Sequence, residues 1–360
     1  MSRFHTLNVK DVRRETPEAV SILFDIPEAL KDEYTFKPGQ YLTLRTVVDG
    51  EDTRRSYSIC SGLDDDEIRV AVKKVEGGTF STFANDQLKA GMSLEVMAPE
   101  GRFTAEVDGA EGRNYVAFAA GSGITPILSI IKTSLQREPE SSFTLFYGNK
   151  ESASVLFREE LEDLKDRYLG RFTLTHVLSR EGQDIDLLHG RLDGERIRQF
   201  IERNLVDLEN TDAFYLCGPG DMIETGRKLL EGHGVSPDKI RFELFTPADG
   251  STTGKPRSAK AQSVAEGGVE IAVILDGAQR SFAMNETDLS VIDAAHRQGL
   301  ELPFSCKGGM CCTCRAKVVK GEVEMANNYS LEPWEVEAGF VLTCQARPLT
   351  KDVLIDFDEM

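Results

Sequence analysis

Four of the chain's seven cysteines fall within nine residues, "CKGGMCCTC" from Cys306 to Cys314, and Cys344 follows thirty residues later. Cys306, Cys311 and Cys314 have the spacing C-x4-C-x2-C, and Cys344 can supply a fourth thiolate. One short loop must then wrap round a centre and offer it three sulfurs, while a distant segment brings the fourth. A disulfide framework usually spreads its thiols through a small secreted domain. Zinc ribbons prefer two short pairs. Three ligands in one loop with this spacing suit a [2Fe–2S] cluster, with zinc and disulfides as the alternatives. Gly308 and Gly309 lack side chains, so their amides can approach a cluster and donate to its sulfides. Cys312 is surplus and reads as a small buried residue of the loop, not a ligand.

The 360 residues exceed one ordinary core and point to two or three domains. The formal net charge of −18 excludes nucleic acid and anionic membrane as expected partners, since both would be repelled. It suits either plain solubility or docking to a basic protein. No apolar run is long enough to cross a bilayer, and "MSRFHTLNVK" has no apolar leader core, so a cytoplasmic location is expected.

Short alternating segments such as "SILFDI", "QYLTLRTV" and "EIRVAVKKV" run through the first hundred residues, parted by turn signals. They predict an antiparallel β-barrel over residues 1–107. From 108 to 246 apolar strands alternate with helical patterns ("NYVAFAA" then "TPILSIIKTSLQ", "SFTLFYGNK" then "ASVLFREELEDLKDRY"). That alternation predicts an α/β domain with a parallel sheet, and an amphipathic helix after "GSG". Residues 247–267 are small and polar without apolar periodicity, and read as a flexible linker. Residues 268–360 open with a hairpin, continue with the helix "SVIDAAHRQG", and carry the cysteine loop on 15 acidic and 8 basic residues, a net −7. They form a separate α+β module.

Two stretches upstream have the makings of cofactor sites. In "RRSYSI", Arg55, Tyr57 and Ser58 can supply a guanidinium for a pyrophosphate, a ring for a flat heterocycle and a hydroxyl for a ring nitrogen. Downstream, "EGGTFST" places Gly77 and Gly78 before a helix start at Phe80–Thr82, where amides accept phosphate. In "AAGSGITPIL", Gly121 and Gly123 sit between a strand and a helix, with Thr125 and Pro126 in its first turn. A plain strand–helix turn is the alternative. "YLCGPG" ends a later strand with Cys217, Gly218 and Pro219. Ser179 and Arg180 end the third strand and can grip a 2′-phosphate, which favours NADPH over NADH, and Arg158 is a weaker candidate for the same task.

These motifs resemble two families joined in one chain. The cysteine loop looks like that of a plant-type ferredoxin domain of the β-grasp fold. "RRSYSI", "EGGTFST", "AAGSGITPIL" and "YLCGPG" resemble the ferredoxin–NADP reductase superfamily. The second likeness implies FAD, with FMN its rival: Arg55 on the pyrophosphate, Tyr57 on the ring system, Ser58 near flavin N5, Gly78 and Ser81 by the phosphates. It also implies a nicotinamide beside Gly121, Gly123, Thr125, Cys217, Gly218 and Pro219, and places Glu243 and Phe245 of "RFELF" by the flavin. Ser58, Cys217 and Glu243 are thereby the expected catalytic residues, and Cys306, Cys311, Cys314 and Cys344 the metal ligands. Fusions in this order resemble reductases of bacterial oxygenases, which implies an oxygenase component, of the di-iron kind, as electron acceptor. Two rival readings remain: the same electron transfer to another bacterial oxygenase or hydroxylase, and a non-enzymatic, zinc-holding scaffold.

Overall fold

In this computed structural model, residues 4–107, 109, 112–245 and 255–359 are described. The chain divides into two compact units, Arg3–Gly250 and, chiefly, Ser251–Met360.

The first unit holds two sheets. Strands β1 (Phe4–Thr16), β2 (Ala19–Asp25), β3 (Tyr41–Val48), β4 (Glu51–Ser58) and β5 (Ile68–Lys73) are followed by helix α1 (Thr79–Asp86) and β6 (Ser93–Met97). The strands pair antiparallel in the order β4-β3-β6-β1-β2-β5. A bridge between Ile59 and Val70 brings the two outer strands together, so the sheet curls into a barrel. Leu7, Ile22, Leu42, Leu44 and Val70 fill it, and α1 adds Phe80 and Phe83. The β3–β4 turn is Asp49–Gly50, both at positive φ (53° and 87°), the hairpin geometry that matches strand twist.

The second sheet is parallel throughout. β7 (Asn114–Ala120), α2 (Ile124–Arg137), β8 (Ser142–Asn149), α3 (Arg158–Arg167), β9 (Phe172–Leu178), α4 (Gly194–Glu202), β10 (Ala213–Gly218), α5 (Gly220–Gly232) and β11 (Ile240–Leu244) alternate along the chain. The spatial order is β11-β10-β7-β8-β9. It reverses direction between β7 and β10, and such a switch point opens a crevice at the carboxyl ends of the strands.

Helix α2 forms at the expected amphipathic stretch and is buried almost along its whole length. Its polar side chains are spent on the barrel instead of on water. Ser129 Oγ donates to Ser61 O (2.6 Å), Thr133 Oγ1 accepts from Leu63 N (3.2 Å), and the Arg137 guanidinium forks onto Asp64 (2.8 Å twice). Lys132 bridges Asp65 and Glu160. Barrel and parallel sheet are thus joined by directional bonds as well as apolar contact.

The second unit contains α6 (Ala259–Glu266), β12 (Val269–Leu275), β13 (Ala278–Met284), α7 (Val291–Arg297), β14 (Arg315–Lys320), β15 (Val323–Met325), α8 (Pro333–Glu337), β16 (Phe340–Leu342), β17 (Ala346–Pro348) and β18 (Asp352–Asp356). The sheet order is β13-β12-β18-β14-β16, with β15 and β17 paired apart from it. Asp276–Gly277, both at positive φ, closes the β12–β13 hairpin, and Ser290 caps α7.

The expected linker over 247–267 needs correction at its C-terminal end. Residues 246–254 lie outside the described part, but 255–267 belong to the second unit. Ser258 caps α6, whose Ala261 and Ala265 are buried. Arg347 donates to Lys255 O (2.6 Å), and Arg257 donates to Glu286 O (2.7 Å). Small alanines one helical turn apart bury a narrow stripe that carries little hydrophobic signal.

Candidate functional site

At the rim of the barrel, β4 sends Arg55, Tyr57 and Ser58 into one cavity of about 550 Å³. Gly78, Thr79 and Ser81 at the start of α1 form another wall, and Ser122, Thr125 and Phe245 complete it. Tyr57 packs on Phe80 with ring centroids 5.4 Å apart. Gly78 caps α1 without a side-chain bond, so the first amides of the helix are left for an anion. A Cβ on Gly78 would stand 2.5 Å from Ser81 Oγ, which itself accepts from Val75 N and donates to Gly78 O. Ser81 therefore shapes the turn first. A cationic side chain, an aromatic face and a helix N-terminus round a cavity of this size fit a flavin dinucleotide.

A second cavity of about 600 Å³ lies at the switch point of the parallel sheet. Gly121, Ser122, Gly218 and Pro219 line it, as do Ser179 and Arg180. Lys73, Ser122 and Phe245 line both cavities, so the two adjoin. Gly121 holds φ at +57°, and its carbonyl accepts from Tyr147 Oη (3.0 Å). Thr125 Oγ1 donates to Ser122 O (3.0 Å), so this hydroxyl closes the turn.

Gly123 has a different task from the one its motif suggested. It lines neither cavity, and a Cβ there would sit 2.1 Å from Cys217 O. It lets the β7 turn and the end of β10 touch backbone to backbone. Cys217 also stands behind the cavities rather than in them. Its side chain is fully buried, and burial, with Glu243 nearby, pushes its thiol well above the usual range. A neutral buried thiol is inert, so Cys217 packs the site and Gly218 and Pro219 face it. Arg158 lies on the other side of the sheet edge, paired with Glu162 at 2.9 Å and lining a separate cavity.

Ser58 Oγ donates to Glu243 Oε2 at 3.1 Å, across 185 residues of chain. Cys217 and Glu243 are register partners on β10 and β11. The surrounding protein raises the Glu243 carboxyl to about 8, against a smaller pull downward from the Ser58 bond. Glu243 thus keeps its proton at neutral pH, and its partner Ser58 lines the first cavity.

In the second unit the four thiols lie near one another, Cys306 beside Cys311 and Cys314 beside Cys344. Among the described residues no group of three or more His, Cys, Asp and Glu could hold one metal ion. A zinc ion needs four ligands round one point, whereas a two-iron cluster needs two thiolates per iron. The paired arrangement fits the cluster, and none of the cysteines is in a disulfide. Gly308 N donates to Cys306 Sγ at 3.3 Å, while Lys307, Gly309 and Cys312 hold positive φ (49°, 79°, 59°), which turns the loop round its centre. Cys312 is half-buried rather than buried, because its left-handed backbone turns it partly outward. Thr343 Oγ1 donates to Cys314 O (2.9 Å), and Gln345 Nε2 donates to Lys307 O (2.7 Å). These two straps bring the fourth thiol to the loop.

Residues 7–105 match the oxidoreductase FAD-binding domain family, 118–228 the oxidoreductase NAD-binding domain family, and 273–349 the 2Fe-2S iron-sulfur cluster binding domain family. The chain is 48% identical to a subunit of the 1,2-phenylacetyl-CoA epoxidase of Escherichia coli K12, over 99% of each chain. It is 32% identical to the ferredoxin reductase component of 3-ketosteroid-9-alpha-monooxygenase from Rhodococcus rhodochrous, over 99% of this chain and 97% of that one. The chain belongs to the FAD/[2Fe–2S] oxygenase-reductase family. The reductase also shares its fold with phthalate dioxygenase reductase (TM-score 0.60, 20% identity, 98% of each chain).

FAD held at Arg55, Tyr57 and the start of α1 would supply the conversion between the two-electron chemistry of NAD(P)H and the one-electron [2Fe–2S] centre. The reductase's own residues orient and shield. A flavin in the first cavity would have the Tyr57 ring and the Arg55 guanidinium beside it, with the Ser58–Glu243 hydrogen bond at its wall. Gly218 and Pro219 leave the second cavity open at its wall.

Sequence reading missed Lys73, Lys150 and Arg191, all of which line the nucleotide cavity. Lys73 ends β5, and burial together with Lys150 lowers its ammonium. Two cations on the wall of one cavity suit an anionic ligand there. Lysines at strand ends are common, and no spacing rule would have singled these out. No helix among the described residues is long and apolar enough to cross a membrane.

Proposed function

We propose that this reductase draws on NADPH and delivers electrons to the di-iron oxygenase component of a phenylacetyl-CoA epoxidase. The observation that carries the acceptor is the 48% identity with the Escherichia coli epoxidase chain over 99% of both. The nucleotide preference is supported by Ser179 and Arg180 at the end of β9, with Lys150 and Arg191 on the same cavity. Three cations from the β8–α3 and β9–α4 connections suit a phosphate better than the two hydroxyls of an unphosphorylated ribose. Arg191 pairs only loosely with Asp221, at 3.7 Å, and can turn to a ligand.

The 32% relative that serves a steroid monooxygenase keeps a second acceptor in view, the same electron transfer to another oxygenase. One experiment separates them. Purified epoxidase oxygenase component, phenylacetyl-CoA and the reductase are combined with NADPH or NADH. NADPH-driven, reductase-dependent epoxidation is expected, with Arg180→Ser raising the KM for NADPH about tenfold or more and leaving that for NADH nearly unchanged. No epoxide with either nucleotide, while the flavin is still reduced, overturns the acceptor; equal KM effects on both nucleotides overturn the preference.

A further inference from the structure

We propose that the Trp334 face of α8 is the surface on which the oxygenase component docks. The inference rests on the reading of this chain as an oxygenase reductase.

Trp334 is the chain's single tryptophan and is 61% exposed; Val336, on the same short helix, is 42% exposed. Scattered exposed apolar residues are ordinary, but this one is held in place by uncommon means. Its neighbour Glu335 is fully buried, and Glu335 Oε1 accepts from Arg315 Nε at 2.8 Å. The Arg315 guanidinium lies 3.5 Å from the centre of the Phe340 ring. Glu332 and Glu335 form a reciprocal capping box that fixes the helix start, and Pro333 stiffens it. A buried carboxylate is costly to place, and here it clamps a five-residue helix whose outer side displays a large aromatic ring.

The clamp ties that ring to the electron carrier. Arg315 directly follows the ligand Cys314, and β16, packed on α8, leads into Cys344. Just before α8, Tyr329 N and Ser330 Oγ both donate to Gly309 O, so this segment lies against the ligand loop. A protein seated on Trp334 is therefore one ion pair away from a cluster ligand.

Two considerations select the oxygenase over the reductase's own first unit. Flanking Glu332 and Glu337 are exposed and acidic, and residues 1–246 carry 43 acidic against 31 basic residues, so charge favours a separate, basic surface. A unit on the same chain already enjoys a millimolar effective concentration. It gains less from an aromatic anchor than a separate protein does, and tryptophan is among the residues enriched at the hot spots of such interfaces.

The test uses the full reductase with both cofactors. Native protein and Trp334→Ala are compared in affinity for the oxygenase by calorimetry, in NADPH-driven bleaching of the cluster, and in substrate turnover. Trp334→Phe serves as the conservative variant. Expected are a loss of affinity of about tenfold or more in the Ala variant, recovered in large part by Phe, with cluster bleaching at the native rate. Slowed bleaching with native affinity assigns the face to the first unit and overturns the proposal, as does an Ala variant unchanged in both. If native reductase fails to bind or drive the epoxidase oxygenase at all, the acceptor is wrong instead, and the same comparison with a steroid-type oxygenase decides the docking face.

Discussion

At the scale of single residues the most consequential arrangement is the carboxyl of Glu243 against the hydroxyl of Ser58. Burial lifts the Glu243 carboxyl from 4.5 to about 8. The unfolded chain releases this proton near 4.5, while the folded chain keeps it until about 8. The contribution to stability is therefore fully present below 4.5 and is lost as pH rises through 8. Denaturant midpoints at pH 4.5 and 8.5 check this: native protein should lose stability between them relative to Glu243→Gln, whose amide does not titrate. A constant difference between the two proteins would contradict the burial argument. The residue scale also shows what sequence reading resolves. Cys306, Cys311 and Cys314 are legible because their spacing is local, and Arg55 and Tyr57 because alternate strand residues share a face, with Ser58 next to them at the strand end. Arg158 was misplaced because nearness in sequence to the β8 end does not fix the helix face from which it projects. Lys150 and Arg191 were invisible, since only the folded sheet brings their loops together.

Among elements, the paired turns after β7 and β10 set the crevice, and Gly123 is the hinge of that pairing. With 2.1 Å between a would-be Cβ and Cys217 O, Gly123→Ala forces two backbone segments apart. We expect a loss of a few kcal/mol, as for other overpacked cores, read as a lower Tm, together with a higher KM for the nucleotide. A variant as stable as the native chain would show that the turns are not in close contact. Element boundaries were read well where turn chemistry is explicit, as at Asp49–Gly50 and Asp276–Gly277. They were missed at α6, where Ser258 is the sole marker in a stretch of small polar residues. Helix α2 was legible as an amphipathic helix, but the partners of Ser129 and Thr133 were not, because they bond another part of the chain rather than water.

For the whole molecule, the family assignment makes one chain the carrier of both a two-electron and a one-electron centre. The order of modules was legible because each leaves its own periodicity: alternation, then strand–helix repeats, then a thiol loop. The acceptor was legible only through resemblance to reductases of bacterial oxygenases, since no single motif of the chain marks it. Anaerobic titration of the purified reductase with NADPH, followed by visible absorption and iron analysis, tests the relay most directly. About two irons per chain and uptake of about three electrons, with flavin and cluster bands both bleached, are predicted. Uptake of about two electrons with only the flavin bleached, and no iron after anaerobic reconstitution, would contradict it.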